Sequence, residues 1–240
     1  MKNQILLNNS FDFQGILPID KPAGVTAFHL VWLLRKRLGI QTIGHAGTLD
    51  PFATGVMIML VGRPFTRLSD RFLNQDKEYL GRIHLGIATD TFDCEGAVLS
   101  TSQTIPSQSD ILEAIKSFQG EILQQPPMYS AKKVNGKKLY ELARKGQVIE
   151  RKSVSIKVQT EIVDYNYPHL DIRVSCSKGT YIRSLANDLG ALLNCGGHLT
   201  SLRRTRSGVF TLADCFPGEM LESKDIDLGE LQKKYHIQLI

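Results

Sequence analysis

One acidic residue, Asp50, lies in a segment whose composition suits a loop that faces a ligand. The segment 44–55 reads GHAGTLDPFATG, so three glycines and one proline surround this carboxylate. Glycine permits close approaches and backbone conformations that other residues block, and a residue before proline is biased toward extended geometry. An ionised carboxylate held in this way can serve as a nucleophile or a base. The alternative is an aspartate that bonds its own backbone in a tight turn.

Sequence motifs for several other chemistries are missing. There is no GxxxxGK[ST] phosphate loop, because Gly136-Lys137 lacks the earlier glycine, and there is no GxGxxG, HExxH or GxSxG. The four cysteines form no CxxC pair and have no histidine at metal-ligand spacing, so we expect reduced structural thiols and no metal site. These cysteines are Cys94, Cys176, Cys195 and Cys215.

The composition is that of a soluble globular protein. The chain has 240 residues, of which 42% are hydrophobic and 22% charged, which suits one large domain or one domain with a small appendage. No apolar run approaches the roughly 18 residues of a membrane span. Residues 1–10 lack the pattern of a signal peptide. We therefore expect a cytoplasmic protein.

Positive charge is concentrated in one part of the chain. The net charge is +5, but residues 132–152 contain eight basic and two acidic side chains and carry +6. From residue 211 onward, six acidic and three basic side chains give −3. The basic segment indicates a polyanionic partner, with a solvated helix face as the alternative.

Residue periodicity predicts the elements that position the Asp50 segment. Strands are expected at 15–20, 83–87, 154–158, 170–176, 199–203 and 209–212, and 56–61 is a buried strand or a buried helical turn. A helix is expected between an N-cap at Thr26 and Gly39, because Phe28, Val31, Trp32 and Leu38 recur with helical period. Further helices are expected at 109–118, with Leu112 inward, at 137–145, and after a cap at Thr180. Together they predict an α+β fold with a mixed, largely antiparallel central sheet and flanking helices.

Five further motifs follow the order of a known family. Together with 44–55 the chain resembles the TruB family of pseudouridine synthases over about residues 15–212. The motifs are IDKPAGVT at 19–26, KEY at 77–79, PPMYSAKKVNG at 126–136, GTYIRSL at 179–185 and LRRTRSG at 202–208. The resemblance implies the pseudouridine synthase fold and isomerisation of uridine 55 in the T-loop of tRNA, without a cofactor or metal.

The resemblance also implies roles for single residues. Asp50 corresponds to the essential aspartate, Arg183 to the arginine that keeps it ionised, and Tyr79 to the active-site tyrosine that stacks on the target base. Because the uridine must leave its stack to react, the family surrounds it with further side chains. His45 corresponds to a histidine at the flipped base, and Ile182 and Leu202 correspond to apolar positions of the uracil pocket.

RNA contacts are expected from basic side chains and from a thumb. Residues 124–152 resemble the family's basic thumb insertion, which closes over the stem-loop. Phosphates are bound mainly by lysine and arginine. The expected contacts are Lys21, Lys132, Lys133, Lys137, Lys138, Arg144, Arg203, Arg204 and Arg206. The expected partner is the T stem-loop of tRNA, bound by a monomer without a membrane or an obligatory protein partner.

The sequence departs from the family pattern after the last motif. Most bacterial members continue into a PUA domain, whereas only a short acidic stretch follows here. We therefore expect a catalytic domain at 1–212 and an acidic extension at 213–240 without a full PUA domain.

Two other functions stay open at this point. A tRNA-folding chaperone could bind and remodel the loop without turnover. A hydrolytic glycosidase would also break a glycosidic bond, but that chemistry normally needs a pair of carboxylates, and the sequence offers one well-placed acid.

Overall fold

The computed structural model describes residues 13–134, 136–223 and 229, where strands and helices alternate irregularly. The predictions on residues 1–10 and on most of the acidic extension lie outside these residues. The strands are β1 (Gly15–Lys21), β2 (Ile43–Ala46), β3 (Thr54–Val61), β4 (Lys77–Leu85), β5 (Ile87–Thr89), β6 (Val98–Thr101), β7 (Gln119–Gln124), β8 (Lys133–Val134), β9 (Lys137–Lys138), β10 (Val154–Asn166), β11 (His169–Cys176), β12 (Gly197–Ser207), β13 (Phe210–Thr211) and β14 (Phe216–Pro217). The helices are α1 (Ala27–Leu38), α2 (Arg63–Thr66), α3 (Ser69–Leu73), α4 (Gln108–Lys116), α5 (Leu139–Ala143) and α6 (Ile182–Leu192), with 3-10 helices at Leu212–Asp214 and Gly218–Glu222.

The chain forms two compact units, which we call unit 1 (residues 1–73 and 209–240) and unit 2 (residues 74–208). In unit 1, β3 pairs antiparallel with β1 and with β2, while β14 pairs parallel with β1. The apolar run of β3 is fully buried from Val56 to Val61, as expected for a strand covered on both faces. Residues 56–61 are therefore a strand and not a helical turn.

Helix α1 begins and ends as predicted, but two aromatic residues of its periodic apolar set are exposed. Thr26 caps it by accepting a hydrogen bond from the His29 amide, and Gly39 ends it in the left-handed conformation. Phe28 and Trp32 are 68% and 48% exposed. The buried stripe follows the i, i+3, i+4 spacing of small and aliphatic residues, and the large aromatic rings lie beside it. The buried residues are Ala27, Leu30, Val31, Leu33, Leu34 and Leu38.

Unit 2 is built on an antiparallel sheet of strand order β12-β4-β11-β10-β7. Buried and more exposed residues alternate along β4, as the pleat requires. Helix α6 packs directly on β12, and Gly190 allows the two backbones to approach closely. A Cβ on Gly190 would lie 2.2 Å from the Gly197 amide nitrogen. The predicted α+β fold with a mixed, largely antiparallel sheet and flanking helices is confirmed.

Three local predictions in unit 2 were wrong. Thr180 does not cap α6, since its hydroxyl donates to the Ser177 carbonyl in the preceding turn and Tyr181 occupies the N-cap position. The predicted helix at 137–145 is shorter, because its first two residues form β9. Leu112 on α4 is half exposed, although that helix has a complete capping box between Ser107 and Asp110.

Candidate active site

Asp50 lies in unit 1, in the loop that joins β2 to β3. The buried side chains of Leu49 and Ala53 anchor this loop on both sides of the half-buried Asp50. The Ala53 amide donates to the Asp50 backbone carbonyl at 3.1 Å. Gly47 has a φ of 84°, in the left-handed region that favours glycine. The loop is thus a tight, anchored turn that holds the backbone of Asp50 in place.

Lys21 reinforces this loop from inside unit 1. Its side chain is fully buried, and its ammonium donates to the carbonyls of Pro51 at 2.9 Å, Ala53 at 2.6 Å and Pro22 at 2.9 Å. The Gly24 amide adds a bond to the same Pro51 carbonyl. Because no part of Lys21 is exposed to meet a phosphate, we withdraw it as an RNA contact and assign it to loop positioning.

His45 lies near the Asp50 loop in the chain and in unit 1. It is half-buried on β2, where it pairs with Met59 of β3. The short strand therefore fixes the backbone of His45 immediately before the glycine-rich turn begins.

Arg183 lies in unit 2, in the first turn of α6, and is only 4% exposed. Its Nη1 atom lies 3.1 Å from Asp93 Oδ2 and donates to the Thr91 carbonyl at 2.8 Å. Its Nη2 atom donates to the Tyr129 carbonyl at 2.8 Å. Burial, an ion pair and two carbonyl acceptors together fix the plane of this guanidinium.

Asp93 and Gln124 are site residues that the sequence reasoning missed. Asp93 is buried against Arg183, and the signal that could have found it is the acid- and threonine-rich turn TDTFDCEG at 89–96. Gln124, also buried, donates to the Tyr181 carbonyl and accepts from the Tyr181 amide. These two bonds hold the beginning of α6, and with it Arg183, against the end of β7.

Tyr79 and Leu202 lie on one face of the sheet of unit 2. The register of β4 and β12 places Tyr79 opposite Arg204 and Leu202 opposite Gly81. Gly81 makes room for the neighbouring strand, because a Cβ there would lie 3.2 Å from a Leu199 methyl group. Tyr79 and Leu202 are both buried, as is Ile182 at the start of α6. Unit 2 thus holds three of the four predicted base-pocket and stacking residues.

The arginines of the last motif differ in exposure. Arg204 is buried, with 1% of its surface exposed, so we withdraw it as a phosphate contact. Arg203, next to it along β12, points to the opposite face of the sheet and is half-buried. Arg206 is also half-buried and donates to the Gly208 carbonyl. Arg203 and Arg206 stay predictions as RNA contacts.

The thumb segment, residues 124–152, contains the small hairpin β8–β9 followed by α5. Leu139 and Leu142 are buried and anchor it, whereas Lys133, Lys137 and Arg144 are exposed. Two cations flank the Tyr140 ring, Lys138 at 5.3 Å and Arg144 at 5.4 Å. A hydrogen bond to the Tyr140 hydroxyl raises the pKa of Lys138. The predicted contacts Lys132 and Lys138 are half-buried in this segment.

Among the residues that the structure describes, no group of three or more His, Cys, Asp or Glu side chains could hold a metal ion. None of the helices in the described ranges has the length and hydrophobicity that crossing a bilayer requires.

Comparison with known families decides the identity of this chain. Residues 35–182 match the N-terminal domain of the TruB family pseudouridylate synthases. Residues 183–234 match the tRNA pseudouridylate synthase B C-terminal domain. The chain belongs to the TruB family. The predicted enzyme class, an isomerase that converts uridine to pseudouridine in tRNA, is confirmed by this membership.

Curated TruB relatives cover most of the chain. tRNA pseudouridine synthase B of Protochlamydia amoebophila (strain UWE25) is 60% identical over 90% of this chain and 82% of its own length. The Chlamydia abortus protein of the same name is 54% identical over 93% of this chain and 95% of its own length. The Clostridium kluyveri protein is 50% identical over 88% of this chain and 73% of its own length.

Solved structures agree with the TruB fold. A Cbf5-Nop10-Gar1 complex has a TM-score of 0.69 at 28% identity, covering 92% of this chain and 59% of the solved chain. An archaeal box H/ACA sRNP Nop10-Cbf5 complex has a TM-score of 0.66 at 27% identity, covering 92% of this chain and 55% of the solved chain. This chain thus spans a little over half of those solved chains.

Proposed function

We propose that this TruB enzyme isomerises uridine 55 in the T-loop of tRNA and that Asp50 is its catalytic carboxylate. The observation that carries the proposal is the anchored turn of unit 1, in which the buried Lys21 ammonium binds the carbonyls on both sides of Phe52. A carboxylate that acts as nucleophile or base must be held at a fixed position. Asp50 is the acid that this turn presents.

The reaction breaks the N-glycosidic bond of uridine and rejoins the ribose to C5 of the base. Asp50 acts as the nucleophile or as the base in this exchange. We assign to Arg183 the role that the family resemblance implies, a positive charge that keeps the catalytic carboxylate ionised, because a cation favours the charged form of an acid. The fixed orientation of the Arg183 guanidinium in unit 2 supports this role.

The uridine must leave its stack to reach the carboxylate, which costs a few kcal/mol. We assign Tyr79 to stacking on the flipped base, Ile182 and Leu202 to the apolar pocket, and His45 to the loop from which the base has left. The shared sheet face of Tyr79 and Leu202 in unit 2 supports a common pocket wall.

The T stem-loop is bound through the thumb segment and through Arg203 and Arg206. The exposed Lys133, Lys137 and Arg144 support this assignment, since exposed cations can neutralise phosphates at little desolvation cost. We further propose that the enzyme acts as a monomer, with tRNA as its partner.

The test is the pseudouridine content at position 55 of an unmodified tRNA transcript after incubation with wild type or with Asp50→Asn. The amide keeps the size of the carboxylate but cannot act as a nucleophile or base. We expect the rate to fall by at least about a thousandfold. Asp164→Asn, which changes an exposed acid on β10, is the matched control and should act like wild type.

Other outcomes of this assay favour other functions. If wild type binds the transcript but forms no pseudouridine, a tRNA chaperone becomes the better interpretation. If uracil is released, glycoside hydrolysis is favoured. If Asp50→Asn keeps the wild-type rate, the role of Asp50 is refuted.

A further inference from the structure

The turn at 89–96 in unit 2 gives the two oxygens of Asp93 different partners. Oδ2 lies 3.1 Å from Arg183 Nη1. Oδ1 accepts hydrogen bonds from the Thr91 hydroxyl at 2.6 Å and from the Glu95 amide at 3.1 Å. Because the turn binds one oxygen, the carboxylate cannot rotate without losing these bonds, and the other oxygen stays directed at the guanidinium.

Thr91 contributes to Arg183 a second time through its backbone. The Thr91 carbonyl accepts a hydrogen bond from the same Nη1 atom at 2.8 Å. Nη1 therefore binds two groups: the Asp93 carboxylate, which the Thr91 hydroxyl orients, and the carbonyl of Thr91 itself. A hydrogen bond to a charged group is stronger than one between neutral groups, and this site is buried.

The backbone of the turn is shaped around the Thr91 hydroxyl. A Cβ on Gly96 would lie 2.2 Å from Thr91 Oγ1, 2.5 Å from Asp90 Oδ1 and 2.9 Å from the Thr91 amide nitrogen, so a larger residue at 96 would displace residues 90–91 and with them the hydroxyl. Phe92 has a φ of 66°, in a region that costs energy for a bulky residue. Its carbonyl accepts from the Leu199 amide, and the Thr89 hydroxyl donates to the Asp93 carbonyl. These contacts fix the backbone of Phe92 and Asp93, and so the segment whose Thr91 and Asp93 bind Arg183.

We propose that Thr91 is a positioning residue for the pseudouridine synthase reaction. Its hydroxyl fixes the Asp93 carboxylate, and Asp93 together with the Thr91 carbonyl fixes the Arg183 guanidinium in one orientation. The inference rests on the role proposed above for Arg183. The simpler alternative is that the Thr91 hydroxyl only stabilises a surface turn.

Two substitutions at position 91 distinguish the positioning role of Thr91 from a purely structural role in the turn. Thr91→Val removes the hydroxyl but keeps the shape and the carbonyl, whereas Thr91→Ser restores the hydroxyl. We would measure the single-turnover rate of pseudouridine formation with saturating enzyme, the Kd for the tRNA transcript, and the midpoint of thermal unfolding (Tm). The valine variant should react about 10-fold or more slowly, the effect of losing a hydrogen bond to a charged group. Its Kd should stay within about twofold and serine should recover most of the rate.

A double-mutant cycle with Asp93→Ala tests whether the effect of Thr91 passes through Asp93, because alanine removes the oxygen that accepts the Thr91 hydroxyl bond. If it does, adding Thr91→Val to Asp93→Ala should lower the rate by a factor less than about half of the factor seen in the wild-type background. If the two factors multiply in full, Thr91 acts independently of Asp93 and the inference is overturned.

The outcomes distinguish this inference from the proposed function. A wild-type rate in Thr91→Val, combined with a large loss in Arg183→Lys, overturns the inference alone. A wild-type rate in Arg183→Lys overturns the role of Arg183 itself. If Thr91→Val does not fold, Thr91→Ala offers a second test, because it removes the same hydroxyl with a smaller side chain. It should slow the reaction at unchanged Kd, and an unchanged rate would again overturn the inference.

Discussion

Lys21 in unit 1 and Arg183 in unit 2 are both buried cations, but they serve opposite purposes. The Lys21 ammonium binds three carbonyls and thereby fixes the backbone of the Asp50 loop. The Arg183 guanidinium is itself fixed by the Asp93 carboxylate and by the carbonyls of Thr91 and Tyr129. An ammonium is a compact charge with three rotatable donors, whereas a guanidinium is a planar fork with directional donors. Lys21 is therefore suited to holding a loop, and Arg183 to presenting charge in a set direction.

Exchanging the guanidinium for an ammonium gives the largest expected effect. Arg183→Lys replaces the two separate nitrogens, Nη1 on Asp93 and Thr91 and Nη2 on Tyr129, with a single rotatable ammonium, so the positive charge loses its orientation. We expect the single-turnover rate to fall by about a thousandfold, similar to the loss of an electrostatic stabiliser in other enzymes, at an unchanged Kd for tRNA.

The control for this exchange is Arg82→Lys. Arg82 forms an exposed bidentate pair with Asp171 in the same unit, and its loss should leave the rate within about twofold, since exposed pairs contribute little. Equal rates for Arg183→Lys and the control would show that orientation of the charge is unimportant.

Removing the other buried cation should act on stability first. Lys21→Met removes the buried donor of the Ala53 carbonyl, whereas the Pro51 carbonyl keeps its bond from the Gly24 amide. Because a buried unsatisfied group costs about 1–3 kcal/mol, we expect the free energy of unfolding in urea to fall by about 2 kcal/mol. Lys36→Met, at an exposed lysine on α1, is the control. A variant of unchanged stability that binds tRNA more weakly would restore Lys21 as a phosphate contact.

Sequence patterns predicted most of the fold because its signals are local. The alternation on β10 and β11, and the Thr26 and Gly39 caps of α1, depend only on residues close in the chain, and all were found. Periodicity predicted α1 itself but not which of its apolar residues are buried, since Phe28 and Trp32 belong to the periodic set and are exposed.

The candidate site was predictable only where a motif marks it. Asp50 and Arg183 belong to motifs, but the burial of Lys21 and Arg204 goes against the usual exposure of charged residues. The pairing of Asp93 with Arg183 joins two distant parts of the chain. Such a contact is set by the register of the sheet and the packing of α6, and no local pattern in one sequence shows it.

The exposed cations of the thumb segment should affect the binding of tRNA, unlike the buried Lys21 and Arg183. Replacing the exposed Lys137 and Arg144 of the thumb segment with glutamine should raise the Kd for tRNA by about 10-fold and reduce the slope of log Kd against log salt by roughly one to two. The single-turnover rate at saturation should not change. The double variant Lys116→Gln, Lys157→Gln alters exposed lysines outside the thumb and is the control. Equal salt slopes in both double variants would rule out the thumb as a phosphate-binding surface.

Lys77 is a further buried cation in addition to Lys21, Arg183 and Arg204, and its replacement has the smallest expected effect, which depends on pH. Burial, followed by the charge of Arg204, lowers the pKa of Lys77 from 10.5 to about 8. Between these two values the unfolded chain binds a proton that the folded protein does not, so the contribution of Lys77 to stability rises with pH. We expect a gain on the order of 1–2 kcal/mol between pH 8 and pH 10, absent from Lys77→Met.

The comparison must be made as the difference between wild type and Lys77→Met at each pH. Burial raises the pKa of the neighbouring Cys176 thiol to about 11, so above pH 9 that thiol keeps a proton in the folded state and lowers stability as pH rises. Taking the difference cancels most of this opposing contribution. Lys157→Met, at an exposed lysine of the same unit, should follow wild type throughout. If the free energy of unfolding changes equally with pH in wild type and in Lys77→Met from pH 8 to pH 10, Lys77 titrates as an ordinary exposed lysine. Its burial would then not distinguish its titration from that of the exposed thumb cations.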